Sequence, residues 1–389
     1  MRVVHLFDRY LNNTMSWAYR LIKNTPDVKS SVAAPLILRN KYFDPEFNFV
    51  EDPFRRFLHI PNERNEWEIS YFSNVWAAIA LRTFFPVYVK FVIFREKIDL
   101  MHAHFAHVGV EYMRIASRYN IPLIVSFYGT DYERLPFEQP KYVNLYGELF
   151  KSARILICEG KNGADLLQKM GCPFHKIRIV KLGIDSSSIT NFTKKKRKDS
   201  LLLIQAATFT ETKGFVFTIR AFAEALKYCP DMTLTLVGEK WEKNYWNEVA
   251  ELIMQLGLQD KIKVLEFIED DFHLFLSKFD VFIHPSCYSK VMECEGGAPV
   301  VLLDAQMVGL PVISTFHCDI PEEVIDGVTG LLSNEKDIIS LRDNISRFYR
   351  MDDSEYQTFS KNARKHVTEN YDSRKNSIAL KSVYEEVLS

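Results

Sequence analysis

The segment Glu295-Gly296-Gly297-Ala298-Pro299-Val300-Val301-Leu302-Leu303-Asp304 carries two carboxylates on either side of a small-residue turn that runs into an apolar, helix-like stretch. At the start of a helix the first backbone N–H groups have no intrahelical partner and sit at the positive end of the macrodipole, so they suit a phosphate. Gly296 and Gly297 have no Cβ, which permits a sharp turn and a ligand close to the main chain. Pro299 suits the first helical position, where its missing N–H costs nothing. Glu295 on the loop and Asp304 about a turn inside the helix can face one pocket with the phosphates between them. Carboxylates accept well from vicinal hydroxyls, and a nucleotide sugar offers such pairs on both ribose and hexose. The segment therefore outlines a sugar-nucleotide site. Taken alone it also fits an ordinary loop–helix junction with a solvated glutamate and a capping acid.

The elements that must position it are set by the rest of the chain. With 389 residues, 47% hydrophobic and 13% aromatic, more than one core can be buried, and two domains are expected. Short apolar runs such as Arg2–Phe7, Leu123–Phe127 and Arg154–Cys158 have the form of buried parallel strands. After the polar stretch Ser186–Ser200 the pattern restarts with Leu201–Ile204, Leu234–Val237, Ile262–Leu265 and Val281–Ile283, with helical patterns at Phe217–Leu226 and Trp246–Leu256 between them. This alternation predicts an α/β chain of two doubly wound domains. The division expected is 1–190 and 191–372, with a last helix at 373–389. In such sheets ligands bind at the carboxyl ends of the strands, so the cleft between the domains is the expected site.

Charge and cysteine content exclude several classes. The six cysteines are scattered, with no C-x-x-C pair, and fit neither a zinc site nor a disulfide framework. The opening MRVVHLFDRY carries Arg2, Asp8 and Arg9, unlike a signal peptide, and no apolar run has the length of a membrane span. A cytoplasmic, soluble protein is expected. Residues 1–200 hold 30 Lys and Arg against 20 Asp and Glu, and the remainder 19 against 30. The basic first half suits an anionic membrane or acceptor. The run Lys194–Lys198 has no aromatic interleaving, so no nucleic-acid partner is expected.

Further motifs accompany the first: His102-Ala103-His104-Phe105, Phe127-Tyr128-Gly129-Thr130-Asp131, Val180–Asp185, Glu211-Thr212-Lys213-Gly214, Leu236–Glu239, Pro285-Ser286, Gly309–Ser314 and Asp326–Leu332. Together and in this order they resemble the retaining family 4 glycosyltransferases of the GT-B fold, two Rossmann-like domains facing across a cleft. The EGGAP segment is most like the bacterial polysaccharide-building members. The resemblance implies that Lys213 lies on the donor diphosphate, Glu295 holds the donor hexose and Asp304 the ribose. Gly296, Gly297, Ala298, Pro299 and Val300 would lie against phosphate and sugar, and Phe267 and Ile268 would meet the nucleobase. It further implies a metal-independent reaction with no cofactor, a UDP- or GDP-linked sugar as donor, and a saccharide or polyprenyl-linked acceptor in cell-surface polysaccharide synthesis.

The departures from the family pattern are as informative. Glu295 and Asp304 are separated by one residue more than is common, and the second acid is shorter. Thr208 stands where an arginine usually joins the lysine on the phosphates, and Tyr128 where a histidine often touches the donor sugar. The glycine pair usual after the first strand is replaced by Tyr10-Leu11-Asn12-Asn13-Thr14. Tyrosine can hydrogen-bond but cannot carry imidazolium charge. His102, His104 and His107 are dense enough to suggest a metal, but His102 and His104 share a strand face that His107 need not, and packing or an acceptor-facing role is preferred.

The resemblance also implies that the last helix crosses back to the first domain. With no residue marked as a covalent nucleophile, it favours hexose transfer with retention by front-face attack, the departing phosphate oxygen taking the acceptor proton and Glu295, Lys213 and Tyr128 nearest the reaction. Trp76–Phe91 is apolar with isolated cations; burial in the first domain is preferred over contact with the inner face of a membrane. Two other functions share the fold: a catalytically silent binding subunit, which Thr208 and Tyr128 would permit, and a nucleotide-sugar 2-epimerase, against which the EGGAP segment and Lys213 speak.

Overall fold

The structure is a computed structural model that describes every residue except 11–14, 38–47, 52–84, 188, 191, 241, 267, 269 and 270. The strands of the first half are β1 (Arg2–Leu6), β2 (Arg9–Tyr10), β3 (Lys29–Ala34), β4 (Leu36–Ile37), β5 (Asn48–Glu51), β6 (Leu100–His104), β7 (Leu123–Ser126), β8 (Ile155–Cys158) and β9 (Ile177–Ile179). Those of the second are β10 (Leu201–Ala206), β11 (Met232–Val237), β12 (Ile262–Leu265), β13 (Val281–Ile283), β14 (Val312–Thr315) and β15 (Gly330–Ser333). Every strand expected from an apolar run is present. Helices Phe215–Leu226 and Lys243–Gln255 begin two or three residues earlier than the apolar pattern alone indicates. The first does so because Gly214, at φ +68°, turns the chain straight out of the Lys213 loop into the helix.

Both sheets are parallel and doubly wound. The first runs β5-β3-β1-β6-β7-β8-β9 and the second β12-β11-β10-β13-β14-β15, with β2 and β4 forming a separate pair. Strands buried on both faces need helices on both, which explains their continuous Val, Ile and Leu content. In the second domain one core lies around Phe215, Phe222 and Leu341, the other around Leu302, Leu303 and Val367. Strand order reverses between β1 and β6 in the first sheet and between β10 and β13 in the second. The loops at the carboxyl ends of these strands are where a crevice must open. In the second domain they are 207–214, carrying Lys213, and 284–299, carrying Glu295.

The last helix, Ser373–Leu388, starts on an Asp372 cap that accepts from the backbone N–H groups of Arg374 and Lys375. It packs against the first sheet and helix Ser16–Lys23, burying Leu380, Val383 and Tyr384 beside Val3, Leu21 and Leu100. Each such side chain contributes about 1.5–3 kcal/mol through removal from water. Of the Trp76–Phe91 stretch, residues 76–84 lie outside the described residues, and the remainder opens a helix over residues 85–96. One face of that helix buries Phe85, Val89, Val92 and Ile93, and the other exposes Val87, Phe91 and Phe94. No described helix is long and apolar enough to cross a membrane.

Candidate functional site

The two loops from the second sheet's reversal point meet in an ion pair: Lys213 Nζ donates to Glu295 Oε2 at 2.6 Å. The glutamate side chain is 7% exposed and the lysine 22%. Glu295 Oε1 accepts from Ser286 Oγ at 2.8 Å, and His284 Nε2 lies 3.6 Å away. Burial alone would push this carboxyl up, but the Lys213 ammonium and then His284 hold it well below the usual carboxylate range. It is therefore an ionised, fixed acceptor. Its backbone is also held: the Glu295 N–H donates to His317 Nε2 at 3.1 Å, and His317 Nδ1 donates to Glu335 Oε1 at 2.7 Å.

Asp304 is one turn into helix Val300–Met307 and nearly buried. Its Oδ1 accepts from His273 Nε2 at 2.9 Å and lies 4.0 Å from Arg20 Nη1, which reaches over from the first domain. Burial opposes its ionisation, but His273 and Arg20 hold its pKa below the ordinary value. Pro299 stands at the N-cap, not at the first helical position expected from the sequence; its carbonyl accepts the Leu302 N–H at 2.8 Å. The first N–H groups beyond it still lack intrahelical partners.

The glycines do something the sequence reading assigned to the ligand. Gly296, at φ +79°, places its α-carbon against the Gly129 backbone, and a Cβ on Gly129 would collide with the Cys294 carbonyl. A Cβ on Gly297 would collide with the Glu159 carboxylate, and Asn162 Nδ2 donates to the Gly296 carbonyl at 3.3 Å. In this conformation the close approach on the EGGAP turn is made by the first domain itself. Behind it Glu159, Asp319, Glu322 and Glu323 line a small cavity with Lys181 and Tyr371. Burial pushes Asp319 up to about 6, and Glu323 is raised by burial and the neighbouring acids.

Tyr128 is at the domain contact, but its hydroxyl turns inward and bonds His104 Nδ1 at 2.9 Å, with its ring 4.5 Å from Trp17. Burial raises the phenol well above its ordinary value, so it stays neutral. The histidine cluster differs from the sequence grouping: His5, not His107, joins His102 and His104. His104 Nε2 meets His5 Nδ1 at 3.1 Å, while His102 bonds Tyr384 OH at 2.7 Å and Ser126 Oγ at 2.8 Å. Both ring nitrogens of His102 and His104 are thus used in hydrogen bonds, and burial lowers all three pKa values. His107 stands apart between Asp8 and Asp131, which outweigh its burial and raise it to about 10.

Among the expected residues, then, Lys213, Glu295 and the 296–300 turn form one site with Asp304 on the helix behind. Thr208 is half-buried at the start of the Lys213 loop, and Ile268 packs on the second domain's core. Phe267 lies outside the described residues. Ser286, His284, His317, Glu335, His273 and Arg20 were not singled out as site residues. Ser286 and His284 sit just ahead of Glu295 on the same loop, Ser286 in a quoted motif, whereas His317, Glu335, His273 and Arg20 are brought in from distant parts of the chain.

Two Rossmann-like domains closed around an ion-paired lysine–glutamate at the switch point define a GT-B glycosyltransferase scaffold. The family profiles agree: Glycosyl transferases group 1 matches residues 187–366 and Glycosyltransferase Family 4 residues 57–188. The chain belongs to glycosyltransferase family 4. It is 29% identical over 277 residues to the putative colanic acid biosynthesis glycosyltransferase WcaL of Escherichia coli, covering 70% of this chain and 67% of WcaL. The amylovoran biosynthesis glycosyltransferase AmsK of Erwinia amylovora is 27% identical, over 62% of this chain and 59% of AmsK. Among solved structures, HepE of Anabaena in complex with UDP-glucose shares the fold at TM-score 0.74 and 17% identity, over 99% of this chain and 100% of HepE.

Proposed function

We propose that the protein transfers a hexose, with retention of configuration, from a UDP- or GDP-linked sugar to a saccharide or lipid-linked saccharide in the building of a cell-surface polysaccharide. The observation that carries this is the Lys213–Glu295 pair, held by Ser286 and His284 beside the turn that opens helix Val300–Met307. Lys213 and the free N–H groups of that helix supply positive charge for the departing diphosphate without a metal. Ionised Glu295 accepts from hexose hydroxyls and Asp304 from the ribose. Glu295 is already committed to a cation and a hydroxyl, which suits binding better than nucleophilic attack and favours front-face transfer. The names of WcaL and AmsK support a polysaccharide product, and the UDP-glucose held by HepE supports a UDP-sugar donor. The exposed Val87–Phe91–Phe94 stripe, with Lys90, Arg95 and Lys97 beside it, supports a lipid-facing first domain. The close approach of Gly129 to Gly296 supports a closed state that would keep water from a bound donor.

A thermal-shift screen against UDP, GDP, ADP, CMP and their common sugars tests the donor class, because a ligand of the native state raises Tm by mass action. One nucleotide family should stabilise the wild type, with the shift weakened in Glu295→Ala. The anomeric configuration of the product, read by NMR, tests retention. A stabilising donor with no turnover on any acceptor extract would bring the silent-subunit reading forward.

A further inference from the structure

We propose that Arg20, from the first domain, is the second cation of the donor diphosphate site. This rests on the nucleotide-sugar reading above and adds a residue to it. A nucleoside diphosphate is a multiply charged leaving group. Lys213 is already matched by Glu295 at 2.6 Å, so the pair brings little net positive charge. Thr208, at the start of the same loop, brings none, and His284 is fully buried with its pKa lowered by that burial.

Arg20 lies on helix Ser16–Lys23, one turn after Trp17, and residues three apart share a helix face. Trp17 packs on Tyr128, whose neighbour Gly129 touches Gly296. Val300, the first residue of the donor-side helix, packs with Trp17 against the cluster that contains Leu21. Arg20 is thus carried on a helix that packs beside Val300, and its guanidinium reaches the residue one turn into the donor-side helix, Asp304. The Arg20 side chain is 26% exposed, and among the described residues the acid it approaches is Asp304, Oδ1 at 4.0 Å, beyond hydrogen-bond distance. Arg20 Nη1 is buried without a hydrogen-bond partner among the described residues. A buried, unsatisfied guanidinium donor is costly unless a ligand completes it. The planar fork matches phosphate oxygens in pairs, which a point charge does not. An arginine supplied by the opposite domain also makes full diphosphate binding depend on closure.

The test measures binding of the wild type, Arg20→Gln, Arg20→Lys and Asp304→Asn by calorimetry, with UDP, GDP, ADP and CDP and with the corresponding nucleosides. Arg20→Gln is expected to weaken the preferred diphosphate by about 10- to 100-fold, the scale of a lost charge-assisted hydrogen bond, and to leave the nucleoside unchanged. Arg20→Lys should recover part of the loss, and it carries the test if the glutamine variant does not fold. Equal losses for diphosphate and nucleoside, matching Asp304→Asn and not adding to it, would make Arg20 only a partner of Asp304. Undiminished diphosphate binding in both Arg20 variants would also overturn the assignment while the donor site stands. A wild type that binds none of the diphosphates would remove the donor site and this role with it.

Discussion

Lys213→Ala separates the two jobs of the lysine, because one of them is visible without any ligand. At 2.6 Å the Lys213–Glu295 attraction is about 6 kcal/mol at an effective dielectric of 20, an upper figure for a pair whose lysine is 22% exposed. Removing one member of a buried pair leaves the other uncompensated, typically at about 3–5 kcal/mol. Water reaching the lysine side lowers this to about 2–4 kcal/mol here. The pH dependence gives the sign. Glu295 is held below its ordinary value of 4.5 in the folded state, so the pair's stabilisation is present above that value and is lost as pH falls through the folded value. Without the cation, the buried carboxyl moves up and is protonated on acidification, which relieves the penalty. The gap between wild type and variant in urea midpoint and Tm should therefore be widest near about pH 7.5 and shrink toward about pH 4. Adding Glu295→Gln to Lys213→Ala should recover most of the loss at the higher pH, with a coupling of about 2–3 kcal/mol in the double-mutant cycle. A gap that is flat with pH, or two fully additive losses, would refute the view that these residues form one buried electrostatic unit.

Three further outcomes follow from the same geometry. Gly129→Ala places a Cβ against the Cys294 carbonyl, so turnover should fall by about 100-fold through misplacement at the closed contact, while each domain's melting is kept; steady-state kinetics beside calorimetric melting checks this. Asp319 is raised to about 6 by burial, so its ionised form costs stability above that pH and the cost is relieved as pH falls toward its unfolded value of 3.8. Asp319→Asn, which can still accept the Asn162 N–H, should melt higher than wild type at about pH 7.5, by about 1–3 kcal/mol in urea, with the gain vanishing in acid. Tyr384→Phe removes the hydrogen bond to buried His102 and should cost about 1–2 kcal/mol of unfolding free energy, read from the urea midpoint.

Much of the architecture was legible because parallel strands buried on both faces read as short apolar runs, and each such run named in the sequence is a strand. The loops bearing Lys213 and Glu295 were legible for a related reason: glycine marks both, at Gly214 and Gly296, where positive φ leaves few alternatives. What escaped the sequence is long-range. His317 and Glu335 fix the Glu295 backbone from the loops after β14 and β15, and nothing in their own surroundings says so. Arg20 meets Asp304 across 284 positions of chain through a domain contact that periodicity cannot encode. Pro299 was displaced by one residue because proline's fixed φ suits the N-cap as well as the first helical position. Strand alternation already set His107 apart from His102 and His104, but His5 was missed, because only the pairing of β1 with β6 brings it level with His102.

Thr208 and Tyr128 were the residues that most invited a non-catalytic function, and the structure changes their weight. A buried ion pair returns little net stability over an apolar pair of the same volume, so Lys213 and Glu295 are a poor device for holding a binding-only fold together. They are a good device for presenting a fixed anion and a displaceable cation to a ligand that carries both hydroxyls and phosphates. Tyr128 does not present its hydroxyl to the cleft; it closes the end of a neutral hydrogen-bonded chain through His104 to His5, and its ring supports Trp17. A neutral residue suffices there, because that position holds the helix on which Arg20 stands. If the arginine supplies the charge that Thr208 lacks, the two departures from the family pattern are one rearrangement: positive charge has moved from the second domain to the first, and diphosphate recognition has become conditional on the domains meeting.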